Sequence, residues 1–230
     1  MAISIQGTPL RTGYSTSLSP STGTIASYTP VAGDIIAVWV RGSVNGTTMT
    51  TPSGWVNPLG TNTVVSSATH CECAIYHIVT SAEQTAGTTA WTLSSLWGST
   101  QTGATYTIAL RGVNQSSPVD TSGSTSSSTA TTTHVLAGIT PNFSNSMILS
   151  GVTGDGSATY STAPSGWAFQ AQNSGGQNTG ALLSRTALSS AGVAVPATNI
   201  TIGTSSQYAS ITVAFAVPTT AKTSAFLAFF

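Results

Sequence analysis

Charge is the scarcest feature of this chain. Its 230 residues include five Lys or Arg and five Asp or Glu, so charged side chains make up 4%, where about 25% is usual for a globular protein. The net charge is zero and Lys222 is the only lysine. A surface of this kind has no basic stripe for nucleic acid or anionic membranes, so neither is expected as a partner. Acid–base chemistry is equally short of material. Three histidines and five carboxylates accompany many serines, yet no serine stands in a Gly-x-Ser-x-Gly elbow, and nucleophilic hydrolysis needs an activated hydroxyl beside a held base. A glycosidase-like pair of carboxylates has no sequence support either. No enzyme activity and no cofactor are expected. Two cysteines cannot make a disulfide framework, and no apolar run approaches the 18 to 20 residues of a membrane-spanning helix. Sustained i, i+3, i+4 apolar spacing is missing too, which argues against helices. The opening Met1-Ala2-Ile3-Ser4-Ile5 has neither a basic region nor a continuous apolar core, so a secretory signal is not expected and folding in a cytoplasm is.

What the chain has is strand material. Hydrophobic residues are 40% of it, set in short Val/Ile/Leu runs separated by Gly, Asn, Ser and Pro. The runs predict strands near 2–6, 22–29, 34–41, 63–67, 71–79, 89–94 and 103–111. A second series comes near 131–137, 146–152, 157–161, 168–172, 180–187, 198–202 and 208–217. Asn45-Gly46 reads as a hairpin turn, with Gly154-Asp155-Gly156 in the corresponding gap of the second series. Short strands with polar turns at this spacing imply an all-β, antiparallel sandwich or jelly roll.

The series is written twice. Thr51-Pro52-Ser53-Gly54-Trp55 reappears as Ala163-Pro164-Ser165-Gly166-Trp167, and the interval between the two PSGW tetrapeptides equals that from Asp34 to Ser146. A duplicated β unit is first a statement about architecture. The division expected is an N-terminal arm and first strand at 1–21, a first repeat at 22–113, a crossover at 114–130, a second repeat at 131–217 and an apolar C-terminal arm at 218–230. The two repeats are expected to pack as one sandwich. The Ser122–Ser128 run of Ser, Thr and Gly cannot build a core and is expected in an exposed crossover loop. The ends, with Ile3 and Ile5 at one and Phe226, Leu227, Phe229 and Phe230 at the other, need covering and are candidate docking arms.

Two groups of residues carry binding chemistry. In the PSGW turn Pro presets φ, Gly supplies the permissive position and Trp covers the end of a core. The same Trp could instead stack a sugar ring, which makes Trp55, Trp167 and above all Trp97, in a loop after Ser94-Ser95-Leu96, candidate glycan platforms. Trp39, in the most apolar strand, reads as core. His70-Cys71-Glu72-Cys73 with His77 is the only cluster of metal-ligand type. On a strand Cys71, Cys73 and His77 share one face and His70 and Glu72 the other. Three soft ligands on one side could hold part of a zinc or iron site, with a fourth from elsewhere such as His134. A lone Cys-x-Cys lacks the paired spacing of a structural zinc site, and the alternative is two buried free thiols. Arg111 and Arg185, among so few charges, are each expected to hydrogen-bond a carboxylate or loop carbonyls.

The segments Pro30-Val31-Ala32-Gly33-Asp34-Ile35-Ile36-Ala37, Pro52-Ser53-Gly54-Trp55, Ala109-Leu110-Arg111-Gly112-Val113 and Pro118-Val119-Asp120 come in an order and spacing that resembles β-sandwich proteins encoded among the virion structural genes of tailed bacteriophages. The resemblance covers about residues 20 to 217. It departs from the pattern at Ser146, where the second Gly-Asp turn would have aspartate. It implies a non-enzymatic capsid-decoration or minor tail protein on the virion exterior, made in the host cytoplasm. Implied partners are further copies of itself, most simply as a trimer, and the major capsid or tail proteins. The rival reading is a carbohydrate-binding or host-receptor adhesin with a host-surface glycan as ligand.

Overall fold

The alternation of β-branched and aromatic residues is realised as thirteen strands and one short helix in a computed structural model, which describes residues 2–43, 47–154, 159–173, 179–185 and 189–218. The strands are β1 (Ser4–Ser17), β2 (Ser21–Thr24), β3 (Ile35–Gly42), β4 (Trp55–Val56), β5 (Val65–Ser66), β6 (Cys71–Ile78), β7 (Ala90–Thr92), β8 (Gln101–Arg111), β9 (Val119–Leu136), β10 (Met147–Gly154), β11 (Trp167–Gln172), β12 (Gly180–Arg185) and β13 (Thr198–Phe215), with α1 (Ser81–Ala86) between β6 and β7. The fold is an all-β, antiparallel sandwich. One sheet has the order β1-β8-β3-β6-β4, with β5 also on β6, and the other the order β11-β12-β10-β13-β9. A two-stranded ribbon, β2 with β7, stands apart.

Each sheet is drawn from one half of the chain. In both, the half's first long strand is an edge, its last strand lies next to that edge, and the strand that opens the predicted core lies third. β3 and β10 are separated by the same interval as the two PSGW turns.

Both faces of both sheets are covered. All eight residues of β3 are buried. Alternation sends Ile35, Ala37 and Trp39 inward to a shared core with Leu149, Leu182, Ile211, Val213 and Phe215 of the opposite sheet. Ile36, Val38 and Val40 point outward, under Ile25, Tyr28, Met49, Trp91, Leu93, Leu96 and Trp97. A third cluster covers the outer face of the second sheet, where Ile148, Val152, Ala181 and Leu183 meet Leu136, Tyr160, Trp167, Ile200 and Ile202. Strands buried on both sides read as nearly continuous apolar runs, which is why β3 was the plainest in the sequence.

Several expectations are corrected. The Ser/Thr/Gly run is no crossover loop: it lies within β9, an 18-residue edge strand paired along β13. An edge strand takes its order from main-chain hydrogen bonds and needs no apolar face of its own, so hydroxyl side chains suffice. The N-terminal strand runs to Ser17 and not to residue 6, and pairs along β8 with a bulge between Gln6 and Leu10. Ile3 is 5% exposed within the shared core and Ile5 packs against it. These two residues therefore close the protein's own sandwich and form no free arm. The Asn45-Gly46 turn, Asp155-Gly156 and Phe226, Leu227, Phe229 and Phe230 lie outside the described residues. Helix α1 was absent from the periodicity because six residues are too few to show one. Its signature was a capping box, with Thr80 and Glu83 each bonding the other's backbone N–H.

Candidate functional site

The two PSGW turns are alike in their hydrogen bonding. In each, the Trp N–H donates to the Pro carbonyl at 3.0 Å, and the glycine takes φ of 79° at Gly54 and 81° at Gly166, a type II turn that demands glycine at its third position. The two tryptophans meet different surroundings. Trp167 is 7% exposed inside the outer cluster of the second sheet, so its faces are taken. Trp55 is half-buried, with its ring 5.4 Å from that of His77.

Trp97, the expected exposed platform, is a core residue. It is 2% exposed, and its indole N–H donates to the Tyr14 hydroxyl at 2.9 Å. The loop that carries it folds down over the outer face of the first sheet, with Leu93 and Leu96 fully buried beside it. Local polarity of a loop did not reveal this, because the surface it covers comes from β3 and β6.

The metal-type cluster is dispersed by its partners. Cys71 and Cys73 are free and buried in the outer cluster of the first sheet. Burial pushes the Cys71 thiol up to about 12 and raises that of Cys73 as well. His77 shares their strand face, but its Nδ1 bonds the Gly54 carbonyl at 2.8 Å and its Nε2 faces both Glu83 oxygens at 2.9 Å. His134 belongs to the other sheet. Its Nδ1 meets the Tyr160 hydroxyl at 2.8 Å, its Nε2 the Ser206 carbonyl at 3.1 Å, and its ring stacks on Tyr208 at 4.8 Å. Burial lowers its pKa, so the imidazole is held neutral. Among the described residues no group of three or more His, Cys, Asp or Glu is placed to hold a metal ion.

The described carboxylates go to four separate places. Asp34 accepts from Arg111 Nε at 2.9 Å and its terminal nitrogen at 2.7 Å, from the Tyr28 hydroxyl at 3.0 Å and from the Val31 N–H at 3.1 Å. Arg111 also reaches the Thr29 carbonyl. In the second half Ser146 stands where Asp34 does, and its hydroxyl donates at 2.9 Å to Asp120, whose oxygens also accept the Asn142 and Phe143 N–H groups. Asp120 thus supplies from β9 the carboxylate that position 146 lacks. Glu83 binds His77, the Thr80 N–H and hydroxyl, and the Trp91 indole. Burial alone would raise its pKa, but these donors bring it down to about 2.

Glu72 is the exception. It is fully buried on the inner face of β6, opposite Arg41 in register, and among the described residues neither carboxylate oxygen has a hydrogen-bond partner. In the same layer the Thr153 hydroxyl from β10 also has none among the described residues, and the Tyr106 hydroxyl from β8 has the Arg11 side chain beside it. The facing sheet meets them with glycine. A methyl group on Gly151 would come within 2.6 Å of Glu72 Oε1, and one on Gly180 within 2.4 Å of the Tyr106 oxygen. Burial drives the Glu72 pKa well upward, opposed by the positive charge of Arg41. It also lifts Tyr106 to about 12. The sequence placed Glu72 on the face away from the cysteines. It held no sign that this face was the seam between two sheets.

Fold and site together define a class, the two-sheet antiparallel β-sandwich with a polar layer inside its seam. Comparison with known proteins adds no narrower identity: no protein-family model, no curated protein and no solved structure matches the chain.

Proposed function

We propose that this protein is a non-enzymatic structural component of a tailed-bacteriophage particle, a decoration or minor tail protein of the virion exterior. The observation that carries the reading is the outer half of β9. From Ser124 to Thr133 it is ten consecutive Ser, Thr and Ala residues, exposed or half-buried, at the edge of a sheet. Edge strands of free-standing proteins are usually guarded by Lys, Pro or inward charges. Here no charged residue and no proline occurs in that stretch. Main-chain groups on such an edge suit docking by strand addition, and an uncharged chain does not repel further copies of itself. Weak contacts repeated by symmetry add up to firm attachment. The sequence resemblance supports the same setting.

Mass spectrometry of purified particles from a phage that encodes this chain tests the reading. The chain is expected at a copy number that matches the symmetry of head or tail. Absence from intact particles that still assemble in its presence would refute it. The adhesin reading now stands on Trp55 alone, whose ring is half-buried. It requires glycan-array binding that Trp55→Ala abolishes while leaving the fold intact.

A further inference from the structure

A buried polar group normally has a partner, and a buried charge has a counter-charge in hydrogen-bonded contact. Glu72 breaks both rules at once. Its carboxyl group lies between the sheets, pressed on Gly151 of β10 and near the ring of Trp39, with no hydrogen-bond donor on either oxygen among the described residues. Arg41 stands opposite on β3, and its charge acts on Glu72 through space and not through a hydrogen bond. An ionised carboxylate held this way carries a desolvation cost that a neutral carboxyl avoids.

We propose that Glu72 is a proton-binding latch in the seam of the sandwich: with its carboxyl neutral the two sheets close over it, and loss of that proton loosens the contact between β6 and β10. Few ionisable groups face it among the described residues. Arg41 on β3 favours the charged form. Tyr106 on β8, with Arg11 behind it on β1, is a phenol whose own ionisation its charge opposes, as it does from farther off for Tyr160 on the outer side of the second sheet. His70 is engaged with Ser67 and the Thr153 carbonyl. Cys71 and Cys73 point to the other side of β6. From the facing sheet β10 offers Gly151 and Thr153 and β12 offers Gly180, none of them ionisable.

The direction of the pH effect is set by burial. The folded-state pKa of Glu72 stands above its ordinary value of 4.5, so its contribution to stability is complete below 4.5 and is lost as pH rises toward the folded-state value. Between those limits the folded-to-unfolded ratio falls by up to about tenfold per pH unit relative to a chain lacking this group. The experiment compares wild type with Glu72→Gln, which keeps the shape and removes the titration. Denaturant unfolding and amide exchange in β6 and β10 are measured from about pH 5 to pH 9, upward from the ordinary carboxyl range. Infrared spectra are recorded near neutral pH. Expected are a protonated-carboxyl C=O stretch in wild type that Glu72→Gln lacks, and a stability and exchange difference that widens in favour of Glu72→Gln as pH rises. Parallel pH profiles for the two proteins would overturn the latch. Should Glu72→Gln fail to fold, the wild-type band alone decides: its absence at neutral pH overturns the proposal. The outcome is independent of whether the protein belongs to a virion.

Discussion

The indole N–H of Trp39 donates to the main-chain carbonyl of Ile211 at 3.0 Å, across 172 positions of sequence and from one sheet to the other. Its ring lies on Gly151, where an added methyl would sit 2.1 Å from Cδ1. This contact joins the two halves of the chain through a single side chain. Trp39→Ala is expected to cost about 3–5 kcal/mol, as large aromatic truncations in cores do. Gly151→Ala is expected to cost at least about 1–3 kcal/mol by overpacking the same spot from the other side. Because the core is shared, both variants should still unfold in one cooperative step in urea. Two separated transitions would mean that the halves are independent.

Asp34 and Arg111 are coupled at the end of the sandwich where β3 begins and β8 ends. The Asp34 side chain is 1% exposed and that of Arg111 is 37% exposed. Breaking a buried pair leaves uncompensated donors and costs about 3–5 kcal/mol, which solvent around the guanidinium reduces to about 2–3 kcal/mol for Asp34→Ala. In the second half, Asp120→Ala frees two backbone N–H groups and the Ser146 hydroxyl at a half-buried site, and is expected to cost about 1–2 kcal/mol. Chemical denaturation checks both. The order Asp34 above Asp120 is the discriminating result.

Glu83 governs the acid limb of stability. Its pKa falls from an ordinary 4.5 to about 2 in the folded state, so the stabilisation it provides is present above pH 4.5 and disappears as pH drops through about 2. Glu83→Gln, which loses the charge on bonds from His77, Thr80 and Trp91, is expected to cost roughly 1–3 kcal/mol near neutral pH. It should also flatten the decline between pH 4.5 and about 2. Thermal melts over that range measure it, and an unchanged acid limb would rule the mechanism out. Glu72 acts in the opposite sense, its contribution falling as pH rises above its ordinary value of 4.5.

Of the five tryptophans, Trp39, Trp91, Trp97 and Trp167 are between 1% and 7% exposed, and Trp55 alone is half-buried. Iodide should therefore quench only one component of the native fluorescence, and Trp55→Phe should remove it. Persistent quenching in Trp55→Phe would place a second indole at the surface, with Trp97 the first to re-examine as a binding platform.

The strands legible in advance were those whose residues are apolar in their own right. β3, β6, β8, β10 and β13 each present runs of apolar side chains, since both of their faces end in a core. The PSGW turns were equally legible, because proline and glycine act through their own φ. Of β9 only the end near 131–137 was legible, and its stretch from Val119 to Ala130 escaped for the converse reason. Its order comes from hydrogen bonds to β13, a partner far along the chain, and its Ser and Thr side chains carry no periodic signal. Helix α1 left only a capping box, a local sign that was there to be read.

Sequence by itself determined that this chain is a β protein poor in charge, with a PSGW turn written twice and the partition of residues between the two faces of each strand. Tertiary structure alone decided what each face meets. It put Trp97 in the core beneath its loop, brought Asp120 of β9 to the Ser146 hydroxyl, and shut Glu72 between two sheets against glycine. Alternation along a strand is a local property of the backbone. The layer about 10 Å above it in a packed sandwich comes from distant parts of the chain, and no local pattern records it.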